Sequence, residues 1–446
     1  MRALLVTSAP PSKSPFSTTE KRPPLGVGTL IAVSREAGHE VHFIDNYLER
    51  SNFELNGYLI KNRIEVVGIY SNTICFKDTL RMLRGIQHLR DEGVWEGEIA
   101  IGGPHTSVRP DTIPKYVDYV VVGEGEGAWL DILNRNAPKG FLKYPRITEL
   151  DQLPFQPWDL FVDKAYDWTC PWMDGVTPVF TMNTSRGCPF KCAFCSVGSV
   201  WGTRYTTMSA ERIIAEIKYL VEDHGAKGIY FREDNFTLDR KRVARFCELM
   251  KEEGLTHIHW ACETRVDNMT MGRVRDMAQA GCRAFYLGVE SGSEKVLAMV
   301  NKKIRVEQVR DVIVWGKKYG INCYASLITG LPGETIEDFL ETERLMVELD
   351  PYYWGYNVFV GIPYSDLYHE ANIRGHVEYQ DENGLMYPPG YDIKAKFFYG
   401  EDASGLVDHK FTERTQFDKD LQRLRPWWIL HNKWLWVKRM MRGIVQ

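Results

Sequence analysis

The segment VFTMNTSRGCPFKCAFC, residues 179–195, joins a short apolar run to a loop that carries three cysteines. Cys188, Cys192 and Cys195 follow a CxxxCxxC spacing, and the other six cysteines are scattered along the chain. Three thiolates on one short loop suit an iron–sulfur cluster, which normally takes four protein ligands, so one iron is left open to a substrate or cofactor. The alternative is a zinc site with a distant fourth ligand, although zinc sites usually draw cysteines from two CxxC-like pairs.

The cysteine loop opens a repeated pattern of apolar strands and amphipathic helices. Strands are predicted at 179–183, 228–231, 257–262, 284–288, 323–328 and 356–359. Six such units predict a parallel barrel or part of one, a partial (β/α)6 barrel with its chemistry at the carboxyl ends of the strands.

The amino-terminal part repeats the strand and helix alternation, with strands predicted at 3–7, 40–45, 66–69, 99–101 and 119–122. Continuous apolar strands of this kind are buried on both faces, which predicts a doubly wound, Rossmann-like parallel sheet in an α/β fold. Such sheets bind ligands where their strands end. The residues in the turns that follow these strands are Ser71, Gly102, Gly103, His105, Gly123 and Gly125.

Length and composition set the domain plan and exclude some classes of partner. A chain of 446 residues is long enough for more than one domain. We expect a first domain at 1–135, a proline-rich linker at 136–177, the barrel at 178–365 and a carboxyl-terminal region at 366–446 that covers the active site.

A net charge of −4 argues against nucleic acid as a partner. The chain has no run of 18 apolar residues and no secretory signal, so we expect a cytoplasmic protein without membrane contact. The basic stretch 433–442 is interpreted as a terminal helix that packs on its own domain.

The cysteine loop resembles the signature of the radical S-adenosylmethionine (radical SAM) enzymes, CxxxCxΦC with an aromatic Φ, and Phe194 occupies the Φ position. The resemblance implies a [4Fe-4S] cluster whose fourth iron chelates S-adenosylmethionine (SAM). One electron then cleaves SAM to methionine and a 5′-deoxyadenosyl radical, which abstracts hydrogen from the substrate. A flavodoxin or ferredoxin is the expected electron donor.

Later stretches resemble further motifs of the same family, in the same order. In Phe231-Arg-Glu-Asp-Asn-Phe236, the resemblance implies that Glu233 or Asp234 accepts a hydrogen bond from the SAM ammonium group. Glu290 and Ser291 would contact polar groups of SAM. Gly330 lies in a turn that resembles the one after the fifth strand, and Val360 in a segment that resembles the sixth-strand backbone beside the adenine.

The amino-terminal half resembles the cobalamin-binding (B12-binding) domain that precedes many radical SAM domains. The matching stretches include Gly68-Ile-Tyr-Ser71, Gly102-Gly-Pro-His105 and Val122-Gly-Glu-Gly-Glu126. The DxHxxG motif, whose histidine ligates cobalt, is absent. The resemblance therefore implies cobalamin held without a histidine ligand, and His105 is either a turn residue or a cofactor contact.

The resemblance implies a cobalamin-dependent methyltransferase that acts on an unreactive carbon of a small natural-product or lipid precursor, with one SAM as methyl donor and a second as radical source. The first alternative is a non-methylating radical SAM enzyme, a dehydratase, deoxygenase, epimerase or cyclase on a sugar or amino sugar, with a vestigial B12-type domain. That route needs an acid or base near the substrate, and Glu263, Arg265 and Tyr324 are the candidates. The second alternative is a non-enzymatic iron–sulfur or zinc binding module, which leaves the later motifs unexplained.

Overall fold

The computed structural model describes residues 1–9, 21–49, 54–331, 333–359, 365–367, 379–380 and 386–387. The chain divides into two compact units. The first comprises Met1–Asp167 and the short segment Ser199–Trp201, and the second comprises Trp168–Gly198 and the described residues from Gly202 onward. The division falls inside the predicted linker 136–177. Val360, the stretch 433–442 and most of the predicted carboxyl-terminal region lie outside the described residues.

The first unit is built on a six-stranded parallel sheet with the order β2-β1-β3-β4-β5-β6, which confirms the predicted doubly wound α/β fold. Its strands are β1 Arg2–Thr7, β2 Glu40–Ile44, β3 Val66–Tyr70, β4 Glu98–Gly102, β5 Tyr119–Val121 and β6 Gly140–Leu142. The sequence prediction missed β6. Strand β6 has only three residues, too few to show a hydrophobic period. It lies within the stretch interpreted as a linker and pairs with β5.

Alternate residues of β1 enter two separate cores, one on each face of the sheet. Leu4 and Val6 pack with one group of buried side chains, and Ala3 and Leu5 pack with another. Burial on both faces explains why the strands are continuously apolar. The helices of this unit are α1 Leu25–Glu36, α2 Asn46–Glu49, α3 Leu55–Lys61, α4 Phe76–Asp91, α5 Pro104–Val108 and α6 Glu126–Leu133.

The proline-rich segment after β6 packs on the first unit. Trp158 and Phe161 are fully buried, and the Tyr166 hydroxyl donates to Asp45 Oδ2 at 2.7 Å. Asp45 itself follows β2 and accepts a second hydrogen bond from Thr7 Oγ1 at 2.5 Å. These contacts hold the segment against the carboxyl ends of β1 and β2.

The second unit contains a six-stranded parallel sheet in the order β14-β13-β12-β11-β10-β7, which confirms the predicted partial barrel. Its strands are β7 Val179–Met182, β10 Gly228–Phe231, β11 His259–Thr264, β12 Cys282–Glu290, β13 Asn322–Thr329 and β14 Tyr353–Val358. Neighbours in the sheet are also neighbours in the sequence, as expected when each strand is followed by a helix that returns the chain. Short antiparallel pairs are β8 Ser185–Arg186 with β9 Thr206–Thr207, and β15 Tyr379–Gln380 with β16 Met386–Tyr387.

Helix α8 Ala210–His224 begins and ends at residues that commonly cap helices. Ser209 accepts a hydrogen bond from the Arg212 amide at the start of α8, and Gly225 ends that helix in the left-handed conformation. After the cysteine loop comes α7 Val197–Trp201; the helices that follow are α8 Ala210–His224, α9 Arg240–Glu252, α10 Met271–Gln279, α11 Glu294–Met299, α12 Val306–Tyr319 and α13 Ile336–Leu349.

Candidate functional site

The cysteine loop starts and ends on a small antiparallel ladder. Ser185 pairs with Thr207 and Arg186 with Thr206, so the chain between β8 and β9 is closed at its base. Gly187 has a φ of +85°, a conformation that side-chain-bearing residues rarely adopt, and it turns the chain immediately before Cys188. The ladder fixes where the loop begins relative to β7.

The three thiols are partly exposed and free, and they interact electrostatically with one another. Burial raises the pKa of Cys188, and it raises the pKa of Cys195 to about 11. Within the described ranges, no three His, Cys, Asp or Glu side chains converge on the position of one metal ion. A [4Fe-4S] cluster takes each of the three thiolates on a different iron, whereas zinc sites usually draw on two CxxC-like pairs and the sequence has no second pair.

The back of the loop is held by the chain that follows α11. The Ala193 amide donates to the Val300 carbonyl at 2.8 Å, and Asn301 Nδ2 donates to the Lys191 carbonyl at 2.6 Å. Ala193 and Phe194 pack in an apolar cluster with Val300 and other residues of the barrel. Phe194 thus supports the loop from behind, as the aromatic position of the motif.

Arg265 directly contacts the cysteine loop. Its Nη1 lies 3.4 Å from Cys192 Sγ, and its guanidinium carbon lies 3.7 Å from the centroid of the Phe190 ring. Asp267 binds Nε and Nη2 of the same guanidinium at 2.9 and 3.0 Å. The structure therefore places Arg265 at the cysteine loop, not with Glu263 and Tyr324 in the barrel interior.

Glu233 and Asp234 have different surroundings, although the sequence offered them as equivalent candidates. Both carboxylate oxygens of Glu233 are engaged, Oε1 by Arg242 at 3.1 Å and Oε2 by the amide and hydroxyl of Thr184. Arg242 is itself buried and also donates to the carbonyl groups of Thr184 and Phe236. Glu233 thus ties β10 to the start of the cysteine loop.

Asp234 lies beside the thiols instead. It interacts electrostatically with Cys188 and Cys195 and accepts a hydrogen bond from the Gly187 amide. Burial, with a smaller contribution from the neighbouring Glu233 carboxylate, raises the pKa of Asp234 to about 6. Asp234 thus lies beside the thiols, whereas Glu233 is bonded to Arg242 and Thr184.

Glu290 ends β12 at a bulge, with a φ of +66°. Its Oε1 accepts a hydrogen bond from Lys302 Nζ at 2.6 Å, and both side chains are more than nine-tenths buried. Lys302 Nζ also lies 5.8 Å from the Phe194 ring centroid. The pair presents a carboxylate and an ammonium group beside the cysteine loop, which suits the ammonium and carboxylate of an amino acid such as the methionine part of SAM.

Ser291 and Gly330 have structural contacts of their own. The Ser291 hydroxyl is fully buried, pairs with Thr342 Oγ1 at 3.2 Å and accepts a hydrogen bond from the Ser293 amide. The Gly330 amide donates to Glu334 Oε2 at 2.6 Å, which fixes the turn after β13. Burial raises the pKa of Glu334 to about 7.

Glu263 and Tyr324 lie in the barrel interior, on one register row that runs through Tyr286 to Tyr353. The Tyr230 hydroxyl donates to Glu263 Oε1 at 2.8 Å, and burial raises the pKa of Glu263 to about 7. Tyr324 is stacked between Tyr286 and Tyr353, with ring centroids 4.6 and 4.9 Å away. Because Tyr324 is the third residue of β13, it lies toward the amino end of that strand and not at a strand end where chemistry was expected.

In the first unit, the turns after β3 and β4 are bonded to each other. The Ser71 amide donates to the Gly102 carbonyl at 2.9 Å, and the His105 amide donates to the Ser71 carbonyl at 3.2 Å. Gly103 has a φ of +108°, and a Cβ atom there would lie 2.5 Å from the Ser71 carbonyl oxygen. The glycine is therefore required by the protein's own backbone.

His105 is the second residue of the short helix α5, where the sequence suggested a turn residue, and it is buried. Its Nδ1 lies 3.2 Å from Thr73 Oγ1, its Nε2 lies 3.0 Å from Thr112 Oγ1, and its ring stacks on Phe76 with centroids 3.8 Å apart. Burial, reinforced by the nearby Arg109 cation, lowers the pKa of His105 to about 4. Both ring nitrogens are occupied, so His105 as placed does not offer a ligand to cobalt.

The turn after β5 is more open. A Cβ atom on Gly123 would meet nothing within 4 Å, and one on Gly125 would come no closer than 3.4 Å, to Leu30 Cδ2. The Gly123 amide donates to Ser107 Oγ at 3.0 Å, which ties this turn to the helix after β4. Open space beside a glycine-built edge fits a large, flat group such as a corrin, bound through backbone and shape rather than through a histidine.

Comparison with known proteins agrees with both halves of this description. Residues 182–346 match the Radical SAM superfamily model and residues 17–133 match the B12 binding domain model. An uncharacterized methyltransferase of Pyrococcus horikoshii is 31% identical over 395 residues, which cover 83% of each chain. The chain belongs to the radical SAM superfamily, among the enzymes that carry a B12-binding domain ahead of the radical SAM domain.

Other relatives are named for different reactions. Cytidylyl-2-hydroxyethylphosphonate methyltransferase of Streptomyces wedmorensis is 24% identical, covering 89% of this chain and 88% of its own. The anaerobic magnesium-protoporphyrin IX monomethyl ester cyclase of Cereibacter sphaeroides is 25% identical, covering 80% of this chain and 61% of its own. Family membership thus includes both methyltransferases and a cyclase.

A solved structure shares the fold. The cobalamin-dependent SAM radical enzyme OxsB, with aqua-cobalamin bound, superposes with a TM-score of 0.73 at 15% identity, over 90% of this chain and 66% of that one. The predicted family, fold and enzyme class are confirmed. The predicted cofactors are confirmed as well, since the radical SAM domain implies the [4Fe-4S] cluster and SAM, and the B12-binding domain supports cobalamin.

Three charged residues at the site were missed by the sequence analysis: Arg242, Asp267 and Lys302. Arg242 lies on α9, Asp267 follows β11 and Lys302 follows α11, and no spacing in the sequence marks these three residues. Among the residues that the structure describes, no helix has the length and apolar composition needed to cross a bilayer.

Proposed function

We propose that this chain is a cobalamin-dependent radical SAM methyltransferase that transfers a methyl group to an unreactive carbon of a small natural-product or lipid precursor. The observation that carries the proposal is the presence of both a radical SAM and a B12-binding domain in a chain 31% identical to a protein named as a methyltransferase. When bound, cobalamin supplies a carrier for the methyl group, and SAM supplies both that group and the radical source. A shared fold alone does not fix the reaction.

The contacts of the barrel site support a specific set of cofactor roles. Cys188, Cys192 and Cys195 would hold the [4Fe-4S] cluster. Asp234, beside the thiols, would accept a hydrogen bond from the SAM ammonium group, and the Glu290–Lys302 pair would orient the same end of SAM through its two opposite charges. A flavodoxin or ferredoxin is proposed as the electron donor.

The cobalamin contacts would come from the open turn of the first unit. A Cβ on Gly123 would meet nothing within 4 Å and one on Gly125 would meet only Leu30, whereas Ser71 and Gly103 are bonded or packed within the edge itself. Gly102 is assigned a place on the cobalamin-facing edge without a shape-keeping role of its own. A Cβ atom there would lie 3.6 Å from Val121, an ordinary contact distance.

A second function is favoured by the barrel interior. Glu263 has a pKa of about 7 and a hydrogen bond from Tyr230, so near neutral pH it can either give or take a proton. Radical dehydration, epimerisation or cyclisation needs such a group, whereas methyl transfer to an unactivated carbon needs it less. The cyclase among the relatives is consistent with this alternative.

The deciding experiment is an anaerobic turnover of the full chain loaded with hydroxocobalamin. It uses dithionite, SAM with a trideuterated methyl group, and candidate substrates supplied one chemical class at a time. A methyltransferase should retain cobalamin through gel filtration, form 5′-deoxyadenosine and S-adenosylhomocysteine in comparable amounts, and yield a product carrying the labelled methyl group. A chain that retains no cobalamin and converts substrate without forming S-adenosylhomocysteine would instead have the non-methylating function.

The matched control separates radical chemistry from methyl transfer. Glu263→Gln keeps the size of the side chain and removes its ability to take a proton. In a methyltransferase it should leave the ratio of the two SAM products unchanged. In a dehydratase or epimerase it should stop substrate conversion while 5′-deoxyadenosine is still formed.

A further inference from the structure

Two buried cations face the two phenylalanines of the cysteine loop. Arg265 lies over Phe190 at 3.7 Å, and Lys302 lies over Phe194 at 5.8 Å. Each cation has a carboxylate partner, Asp267 for Arg265 and Glu290 for Lys302. Of the two, the guanidinium of Arg265 also reaches a cysteine sulfur, since its Nη1 lies 3.4 Å from Cys192 Sγ.

The remaining contacts of Arg265 fix the direction of that donor. Asp267 takes Nε and Nη2 in a two-point pair, and the Lys302 carbonyl accepts a further bond from Nη2 at 2.6 Å. The planar guanidinium therefore cannot rotate without breaking three bonds, and Nη1 is left aimed at Cys192. The Arg265 side chain is only 5% exposed, so water screens this interaction little.

We propose that Arg265, held by Asp267, is a positioning residue that donates a hydrogen bond to the Cys192 thiolate and thereby raises the reduction potential of the cluster. One-electron reduction adds a negative charge to the cluster and its thiolates. A cationic donor on a ligand sulfur stabilises the reduced state more than the oxidised state, and hydrogen bonds to the sulfurs are known to tune such potentials.

Asp267 sets the size of this effect. The Asp267 carboxylate offsets most of the positive charge that Arg265 would otherwise exert on the cluster. It does not remove the hydrogen bond that Arg265 Nη1 donates to Cys192. Removing the carboxylate should expose the full positive charge to the cluster, whereas removing the guanidinium should expose the full negative charge of Asp267. The two substitutions are thus expected to shift the potential in opposite directions, which a merely structural contact would not do.

The test is a redox titration of the reconstituted full-length protein without SAM or substrate. Dithionite supplies one electron per cluster in the presence of mediators, and the EPR signal of the reduced cluster is followed. At the wild-type midpoint potential, Arg265→Gln should lower the ratio of reduced to oxidised cluster at least ten-fold, equal to 59 mV for one electron. Arg265→Lys should give a smaller decrease, and Asp267→Asn an increase.

Controls separate tuning from loss of the cluster. Arg275→Gln changes an exposed arginine on α10 that pairs with Asp276 and should leave the midpoint unchanged. Iron and sulfide content is measured for every variant. If Arg265→Gln fails to retain its cluster, Arg265→Lys and Asp267→Asn decide the question.

Full cluster content with an unchanged midpoint in Arg265→Lys and Asp267→Asn, or shifts of the same sign in both, would overturn the proposal. Because no methyl acceptor is present, the result is independent of whether the chain is a methyltransferase.

Discussion

At the carboxyl edge of the amino-terminal sheet, Ser71, Gly103 and His105 are engaged by neighbouring backbone groups and hydroxyls, and the hydrogen bonds described there involve no charged side chain. At the carboxyl ends of the barrel strands, Arg265 and Lys302 instead form buried ion pairs beside three cysteines. A neutral edge built on backbone suits a large ligand recognised by shape. A buried set of opposed charges suits a compact, charged cofactor and a redox centre.

The largest effect should come from the cysteines. Replacing Cys188, Cys192 and Cys195 together by Ala removes the thiolates of the cluster, so the brown colour, the iron and SAM cleavage should all be lost. The amino-terminal sheet contains none of these residues and should keep its cobalamin. Iron and cobalamin are measured on the same sample. Retention of about four irons per chain would refute the cluster assignment, and loss of both groups would contradict the independence of the two sites.

Glu233 and Asp234 sharpen the comparison inside the charged site. Glu233→Gln leaves Arg242 buried without its carboxylate partner and should cost about 3–5 kcal/mol in the free energy of unfolding. Asp234→Asn should unfold like the wild type yet bind SAM about ten-fold more weakly, a difference of about 1.4 kcal/mol. Urea denaturation and SAM titration on both variants measure the two effects. An unchanged SAM affinity in Asp234→Asn, together with a large decrease in folded Glu233→Gln, would reverse the assignment.

Most of the fold was predictable because it depends on patterns that a short window of sequence contains. Apolar strands such as β1 report local structure directly. Strand β6 was not predictable, since three residues, one of them glycine, carry no period. Its place in the sheet depends on pairing with β5, which is a tertiary contact.

The site was also predictable only where a local sequence pattern marks its residues. The cysteines are marked by their spacing, and Glu233 and Asp234 are marked together by the motif that contains them, although the sequence does not separate the two. By contrast, Arg265 and Cys192 are 73 positions apart, and no local pattern indicates that they meet. The same holds for Glu233 and Arg242. The sequence suggests Glu233 as a SAM ligand, and only the structure shows that its carboxylate is bonded to a buried arginine.

The local stability around His105, at the carboxyl edge of the amino-terminal sheet, should depend on pH. Because burial lowers the pKa of His105 from 6.5 to about 4, the unfolded chain binds a proton between these values that the folded chain does not. The resulting stability is present above pH 6.5 and is lost as the pH falls toward 4. Between pH 7.5 and 5, wild type should lose about 2 kcal/mol more local stability than His105→Gln. Hydrogen exchange in peptides from residues 66–108 measures that local difference.

The control for this prediction is cobalamin itself. Since both ring nitrogens of His105 already have hydroxyl partners, His105→Gln should retain hydroxocobalamin with an unchanged visible spectrum. A changed spectrum would mean that the histidine reaches the cobalt. Equal pH dependence in the two proteins would mean that another group accounts for the acid sensitivity of this edge.

The smallest effect separates glycines that shape the edge from glycines that border the ligand. Gly103→Ala places a side chain in a positive-φ conformation, which alone costs about 1–2 kcal/mol, and the close approach to the Ser71 carbonyl adds to this cost whether or not cobalamin is present. Gly125→Ala meets only Leu30, at an ordinary distance that a small side-chain shift relieves, and should be nearly neutral. Gly125→Phe should then fold normally but release cobalamin, because its ring would fill the space assigned to the corrin. Measuring the free energy of unfolding with and without hydroxocobalamin distinguishes the cases. If Gly125→Phe is stabilised by cobalamin as strongly as wild type, the ligand does not lie at this turn.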